Sequence, residues 1–353
     1  MVVRDFHPLR VAQVERLCAD AVAVTFEVPA ELAGRYAFRP GQALTVRRAV
    51  GGRDERRTYS ICAPAGARPR IGVREVPGGV VSSWLVHQVR PGDEVEVAPP
   101  TGTFTPDLRT GGRHVLLGAG SGITPLLSIA ASLLRHPDAR VSVVYGNRRA
   151  DSVMFAEELA DLKDAYPSRM DLTHLLSREA REVDLLTGRL DAAKLRTLLP
   201  ALIDVRAVGH WWLCGPFGMV TDATQVLGEL GVPSGRIHRE LFWVDEEPPP
   251  VRHVDPRGPD PGGREATVVL DGRSTTVTVP DGVTVLEGAQ RSRPDLPFAC
   301  KGGVCGTCRA RVTSGEVRMR RNFALEEAEV AAGFVLTCQA MPVADGVTVD
   351  FDA

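Results

Sequence analysis

Four cysteines set the hardest limit on how this chain can fold. Three lie in CKGGVCGTC at 300–308, and the fourth, Cys338, follows in VLTCQA. The C-terminal part must therefore bring a tight loop and a distant segment together. The other three cysteines, Cys18, Cys62 and Cys214, stand far apart, and the total of seven is odd. Free thiols in this arrangement fit a reducing compartment and a metal centre better than a disulfide framework.

The spacing is C-x4-C-x2-C-x29-C, through Cys300, Cys305, Cys308 and Cys338. Structural zinc sites usually join two short knuckles, and buried structural thiols need no shared loop. Three ligands on one loop with a remote fourth is the spacing of plant-type 2Fe–2S centres. Such a cluster carries negative charge and many acceptor positions. Gly302, Gly303 and Gly306 let the backbone wrap closely and aim N–H groups at the sulfurs.

The chain of 353 residues is long enough for two or three domains, and 44% apolar with 24% charged residues is ordinary for globular protein. A formal net charge of −2 gives no basic field for nucleic acid. No apolar run approaches the length of a membrane span. The start, MVVRDFHPLR, carries no secretory signature, so a cytoplasmic location is expected.

Residues 1–108 read as short strands (VAQVERL, AVAVTFEVP, QALTVRR, RTYSICA, RIGVREV, DEVEVAPP) around one helix at SSWLVHQV. This pattern predicts an antiparallel β-barrel. Over 109–245, strands such as HVLL, RVSVVYGNR, MDLTHLLS, HWWLCGP and RIHRELF alternate with helical stretches, which predicts a doubly wound parallel sheet. Residues 246–264 are rich in proline, glycine and charge and read as a linker. Residues 265–353 open on a hairpin, ATVVL-DGR-STTVTVP, followed by a helical VLEGAQR, the cysteine loop and closing strands.

GAGSGITP at 118–125 follows an apolar strand and opens a helix, as a pyrophosphate-binding turn does. Many glycine turns bind nothing. LCGPFGM at 213–219 ends a second strand of the same sheet, and ligands sit at the carboxyl ends of such strands. The expected nucleotide contacts are Gly120, Gly122 and Thr124 on the first turn and Cys214, Gly215, Pro216 and Met219 on the second.

RRTYSICAP at 56–64 contains R-x-Y-S, which resembles the flavin motif of the ferredoxin–NADP reductase superfamily. The resemblance implies that Arg57 pairs with the FAD pyrophosphate, Tyr59 stacks on the isoalloxazine and Ser60 bonds near N5. GGVVSSWL at 78–85 looks like the second phosphate element, with Gly79, Val80 and Ser82 as contacts and Val73 on the strand before it. By the same resemblance Cys214 lies beside the nicotinamide C4, and Glu240 and Phe242 cover the flavin. Tyr59, Ser60, Cys214 and Glu240 are thus the implied catalytic set.

The whole chain resembles the reductase components of the ring-1,2-phenylacetyl-CoA epoxidases. FRPGQ, RRTYSIC, AGSGITP, YGNR, CKGGVCGTC, NFALEEAEVAAGFVLTCQA and VDFDA carry the likeness, in order, across all three segments. Hybrid reductases serving steroid hydroxylases and desaturases share much of it. The likeness implies a β-grasp ferredoxin domain at the C-terminus. Pyridine nucleotides give two electrons at once and a 2Fe–2S cluster takes one, so some group must convert between them, and a flavin can. The implied path is NADPH to FAD to cluster to a diiron oxygenase. Other acceptors, a steroid hydroxylase, a desaturase or a hybrid-cluster protein, stay open here, as does a redox-sensing module. Neither a Ser–His–Asp triad nor HExxH occurs, and the eight histidines read as ordinary polar residues. Arg148 and Arg149 follow the strand that should meet the adenine ribose, where cations suit a 2′-phosphate. Arg309, Arg311, Arg318, Arg320 and Arg321, with only Glu316 among them, are either a solvated face or a docking surface for an acidic partner.

Overall fold

The computed structural model describes residues 6–51, 53–180, 182–242, 263–290, 292–293 and 295–353. Among the described residues the chain divides into two compact units, one over 6–242 and one over 263–353. Most of the expected linker, 246–262, lies outside the described residues. Its last two residues do not behave as linker: the first C-terminal strand already begins at Gly263.

The first unit opens with β1 (His7–Cys18), β2 (Ala21–Glu27), β3 (Ala43–Val50), β4 (Arg53–Ser60), β5 (Arg70–Arg74), α1 (Val80–His87) and β6 (Glu94–Val97). The strands pair antiparallel in the order β4-β3-β6-β1-β2-β5. An isolated bridge between Ile61 and Ile71 joins the two outer strands, so the sheet closes on itself. Its interior is filled by fully buried Leu9, Val22, Val24, Phe26, Leu44, Val46, Ile71 and Leu85. Closure leaves no free edge and turns the strand ends into a rim on which polar residues can be placed. The helix begins two residues before the predicted SSWLVHQV because Gly79 can act as its extended N-cap.

The same unit continues through β7 (Gly112–Ala119), α2 (Ile123–Leu133), β8 (Ala139–Asn147), α3 (Ala156–Ala165), β9 (Met170–Leu176), α4 (Ala192–Leu202), β10 (His210–Gly215), α5 (Phe217–Glu229) and β11 (Ile237–Leu241). These strands are parallel, in the order β11-β10-β7-β8-β9. Strand order reverses between β7 and β10, which is the topological switch point where doubly wound sheets bind nucleotides. Ten of the eleven residues of α2 are buried. That helix is therefore a core element whose N-terminus is held rigidly at the switch point.

The second unit contains β12 (Gly263–Leu270), β13 (Arg273–Pro280), α6 (Val285–Ala289), β14 (Arg309–Ser314), β15 (Val317–Met319), α7 (Glu327–Ala331), β16 (Phe334–Leu336), β17 (Ala340–Pro342) and β18 (Val347–Asp350). A mixed sheet runs β13-β12-β18-β14-β16, with β12 and β18 parallel, beside a two-stranded β15-β17 ribbon. The predicted hairpin turn is present, with Asp271 and Gly272 both left-handed, as a tight two-residue connection demands. The architecture is the expected one: an antiparallel barrel, a doubly wound parallel sheet and an α+β domain. Among the described residues, no helix is long and apolar enough to cross a membrane.

Candidate functional site

At the switch point the backbone of β7 runs into Gly120, which is left-handed at φ +56°. A Cβ on Gly122 would stand 2.1 Å from the carbonyl oxygen of Cys214 and 2.8 Å from the nitrogen of Gly215. Only glycine lets the turn close against the end of β10, and that closure brings the two predicted nucleotide elements together. Thr124 fastens the turn by donating from Oγ1 to the Ser121 carbonyl at 2.9 Å. The Tyr145 hydroxyl donates to the Gly120 carbonyl at 2.9 Å. No side chain caps α2, but the Ile123 N–H already bonds to the Gly120 and Ser121 carbonyls and Pro125 has none, so an anion here would be met by the glycine turn that precedes the helix and by the helix dipole. Asn147, at the end of β8, is buried, and neither atom of its side-chain amide has a hydrogen-bond partner by geometry. An unsatisfied buried amide is costly, and a bound polar ligand would satisfy it. Gly215 and Met219 are buried beside this turn while Pro216 is exposed. Arg148 and Arg149 are exposed just past Asn147. Exposed Arg178, whose N–H donates to the Arg148 carbonyl at 2.9 Å, joins them from the end of β9.

Below the turn lie the groups expected to face flavin and nicotinamide. Cys214 and Glu240 are register neighbours on β10 and β11. Ser60, at the end of β4, donates to Glu240 Oε2 at 3.0 Å and so links barrel to parallel sheet. Burial pushes the Glu240 carboxyl up from 4.5 to about 7, with the Ser60 hydroxyl opposing it. Burial, reinforced by the Glu240 charge, likewise holds the fully buried Cys214 thiol well above its usual range. Burial also raises the Tyr59 phenol, with Arg57 pulling the other way. Phe242 follows β11 and is 38% exposed.

The phosphate elements of the barrel depart from expectation in two places. The Ser82 hydroxyl is committed to its own turn, accepting from the Val76 N–H at 3.1 Å and donating to the Gly79 carbonyl at 3.3 Å. Its contribution to a phosphate site is therefore to shape the turn, leaving the N–H groups of α1 to the ligand. Val73 has no accessible surface; it pairs with Val22 and packs in the barrel core, so this structure gives it no route to a cofactor. Arg57 is exposed, pairs with Glu55 at 3.2 Å and donates to the Arg56 carbonyl at 2.7 Å. Val80 is 42% exposed, and its carbonyl accepts from Arg48 at 3.3 Å. An exposed guanidinium and an uncapped helix start on the same rim fit a diphosphate.

In the second unit the four predicted ligand cysteines come together as two pairs. Cys300 is hydrogen-bonded to Cys305, and Cys308 to Cys338. Cys308 also feels the charge of Cys305, and Cys338 that of Cys300. Among the described residues, no three or more His, Cys, Asp or Glu converge on a single point as a one-ion site would require. Each thiol pair can supply two ligands to one metal ion. Donors surround the sulfurs: the Gly302 N–H reaches Cys300 Sγ at 3.3 Å, and the Val304 and Cys305 N–H groups also bond to it. Cys305 Sγ lies 3.1 Å from Thr307 Oγ1. The Gly303 N–H and the Gln339 side chain point at Cys338. This set fits a 2Fe–2S cluster, whose sulfurs need such donors.

The arginines after the loop do not act as one surface. Arg309 forms an ion pair with Glu329 at 2.9 Å and stacks 3.4 Å over the Phe334 ring. Arg311 donates to the Ala332 carbonyl at the end of α7. Arg318 is exposed, and Arg320, half-buried, has a buried Nε without a partner. Three of the eight histidines are also not ordinary polar residues. His114, His210 and His238 stack across β7, β10 and β11 at ring separations of 5.3 Å, with Trp212 on His238 at 4.2 Å. Arg178 and this histidine column carried no local motif, and Asn147 and Gln339 lay within motifs that gave them no role; only the fold reveals what these residues face.

Three family models match the chain: an oxidoreductase FAD-binding domain over 8–105, an oxidoreductase NAD-binding domain over 116–225 and a 2Fe–2S iron–sulfur cluster binding domain over 268–343. The chain is 42% identical to one of the subunits of 1,2-phenylacetyl-CoA epoxidase from Escherichia coli, over 99% of this chain and 98% of that one. It is 35% identical to the ferredoxin reductase component of 3-ketosteroid-9-alpha-monooxygenase from Mycolicibacterium smegmatis, over 98% and 96%. Among solved structures, phthalate dioxygenase reductase shares the fold over 98% of both chains, with a TM-score of 0.58 at 24% identity. With FAD-binding, NAD-binding and 2Fe–2S domains in one chain and this full-length likeness, the protein belongs to the ferredoxin reductase family of oxidoreductases that includes these oxygenase components.

Proposed function

We propose that the chain is the NADPH-dependent reductase of a diiron oxygenase that epoxidises an aromatic CoA thioester. The observation that carries this reading is full-length likeness at 42% to the phenylacetyl-CoA epoxidase component, above the 32–35% found for the 3-ketosteroid reductase components. When bound, FAD would split the hydride's two electrons and the 2Fe–2S cluster would pass them on singly.

The residues have distinct tasks in this scheme. The Gly120–Gly122 turn and the start of α2 hold the nucleotide pyrophosphate, and Arg148, Arg149 and Arg178 face the 2′-phosphate. Tyr59 covers the flavin ring, while Arg57 and the N–H groups at Gly79, Val80 and Ser82 hold its diphosphate. The Cys214 thiol stays protonated and uncharged and has no accessible surface, so it can only back the nicotinamide site from behind the end of β10 and does not compete as a nucleophile. Glu240, with a pKa of about 7, can hold or release a proton next to Ser60 near neutral pH. Cys300, Cys305, Cys308 and Cys338 hold the irons. Arg318, exposed beyond the cluster loop, is the cation placed to meet an acidic oxygenase surface, and a cytoplasmic setting suits the reduced thiols.

Reconstitution tests the reading. The chain is mixed with the oxygenase components of phenylacetyl-CoA epoxidase or, separately, of a 3-ketosteroid hydroxylase, and NADPH consumption is compared with product formed. Coupled epoxidation with the first alone is expected. Coupling only with the second, or uncoupled consumption with both, overturns the assignment of the acceptor.

A further inference from the structure

Gln339 follows the fourth cysteine and is 1% exposed. Its side-chain Nε2 donates to the Lys301 carbonyl at 2.9 Å and lies 3.5 Å from Cys338 Sγ. Both partners are acceptors, so only the amide –NH2 can face them, and the orientation follows from chemistry. The amide oxygen is left buried without a hydrogen-bond partner. Lys301 itself is left-handed at φ +52°, an unfavourable conformation for a residue with a Cβ. Its carbonyl is held where it is by the Gln339 amide. Gly303, at φ +79°, packs so closely that a Cβ there would sit 3.0 Å from Gln339 Cγ. The Gln339 backbone carbonyl accepts from Arg320, tying the loop after β15 to the same point. One buried side chain thus joins the loop carrying Cys300 and Cys305 to the segment carrying Cys338.

We infer that Gln339 is a positioning residue that sets the reduction potential of the cluster, by fixing the Lys301 turn and donating an N–H to the Cys338 sulfur. The inference rests on the 2Fe–2S reading above. A thiolate-ligated cluster gains negative charge when it takes an electron, so a donor aimed at its sulfur favours the reduced state and raises the potential. Removing that donor lowers the potential. A tenfold change in the one-electron equilibrium corresponds to about 59 mV, and a tenfold loss is the expected effect.

The test uses the full chain with its cofactors and the Gln339→Met variant, which keeps length and apolar volume but has no N–H. Iron and sulfide per chain, the cluster midpoint potential and NADPH–ferricyanide turnover, which reads the flavin unit, are measured on both. The expected result is a full cluster, a potential about 59 mV lower and unchanged ferricyanide turnover. A fully loaded variant with the wild-type potential overturns the inference. Should the variant fail to retain its cluster, the wild-type protein labelled with ¹⁵N in glutamine side chains decides. Hyperfine coupling of a side-chain ¹⁵N to the reduced cluster supports the role, and its absence overturns it. A wild-type protein without two irons and sulfide would instead remove the 2Fe–2S reading itself.

Discussion

Glu240→Gln tests whether the first unit keeps a carboxyl in its interior at a cost that depends on pH. The side chain accepts from Ser60 at 3.0 Å, and burial lifts its pKa from 4.5 to about 7. The sign follows from proton counts. Between these values the folded state binds more protons than the unfolded state, so stability falls as pH rises through this window. Below 4.5 both states are protonated and the penalty is absent; above about 7 both are ionised and it is complete. At about 1.36 kcal/mol per pH unit the full penalty approaches about 3 kcal/mol. Glu240 keeps some accessible surface, so solvent screening brings the expected value to roughly 1–2 kcal/mol. Glutamine has the same shape, still accepts from Ser60 and never ionises. The variant should therefore match the wild type near pH 5 and exceed it by roughly 1–2 kcal/mol at pH 8, or a few degrees in Tm for a unit of this size.

Urea unfolding of the full chain, followed by tryptophan fluorescence from pH 5 to 8.5, reads this difference. Trp84, Trp211 and Trp212 report on the unit, and residues 263–353 contain no tryptophan. The histidine column slopes the other way, so only the variant-minus-wild-type difference isolates Glu240. A difference that does not change with pH, or a glutamine variant less stable at pH 8, would refute the reasoning. In turnover, the variant should lose any limb of the NADPH–ferricyanide pH profile near 7.

The other predictions can be read with equally direct measurements. Gly122→Ala forces a Cβ to within 2.1 Å of the Cys214 carbonyl; overpacking against backbone costs about 1–3 kcal/mol or more, so Tm should fall and the pyridine-nucleotide KM rise, and wild-type values for both would sink the close-approach account. Replacing Arg148 and Arg149 by alanine should reduce the NADPH-to-NADH ratio of kcat/KM by about tenfold or more through lost charge-assisted bonds, with NADH kinetics unchanged; an unchanged ratio, or a wild type that prefers NADH, counts against NADPH. Burial lowers His114 and His238 to about 4, and each is lowered further by the His210 charge. The unfolded state binds these protons first, so stability is complete above 6.5 and drains as pH falls toward 4. His238→Gln should flatten that acid limb, and identical limbs in the two proteins would remove His238 from it. Electron transfer to the oxygenase should slow as salt is raised, and less so in Arg318→Ala, because exposed charges are screened within about 10 Å at 0.1 M; a salt-independent rate would end the docking idea.

What could be read in the residues, and what could not, divides along one physical line. A cysteine spacing, a glycine turn after an apolar strand and alternating burial are local constraints, and each forecast an element the fold contains. The parallel sheet needed only the order of its strands, because right-handed crossovers then place GAGSGITP and LCGP at the same switch point. Side-chain commitments are settled by partners far along the chain. Arg309 looked available for docking until β14 and β16 put it over Phe334 beside Glu329. Ser82 looked like a phosphate ligand until its hydroxyl closed the Val76–Gly79 turn. Gln339 looked like any polar residue after a cysteine, because its role depends on the Lys301 carbonyl, 38 positions away, and on a left-handed backbone that no side chain announces. The same reasoning explains why the four cysteines stood out as candidate ligands although the groups around them did not. Ligands must be cysteines, so their identity is written in residue type. A hydrogen-bond donor to sulfur can be any N–H that the fold delivers, and it becomes visible only when the loop and the strand meet.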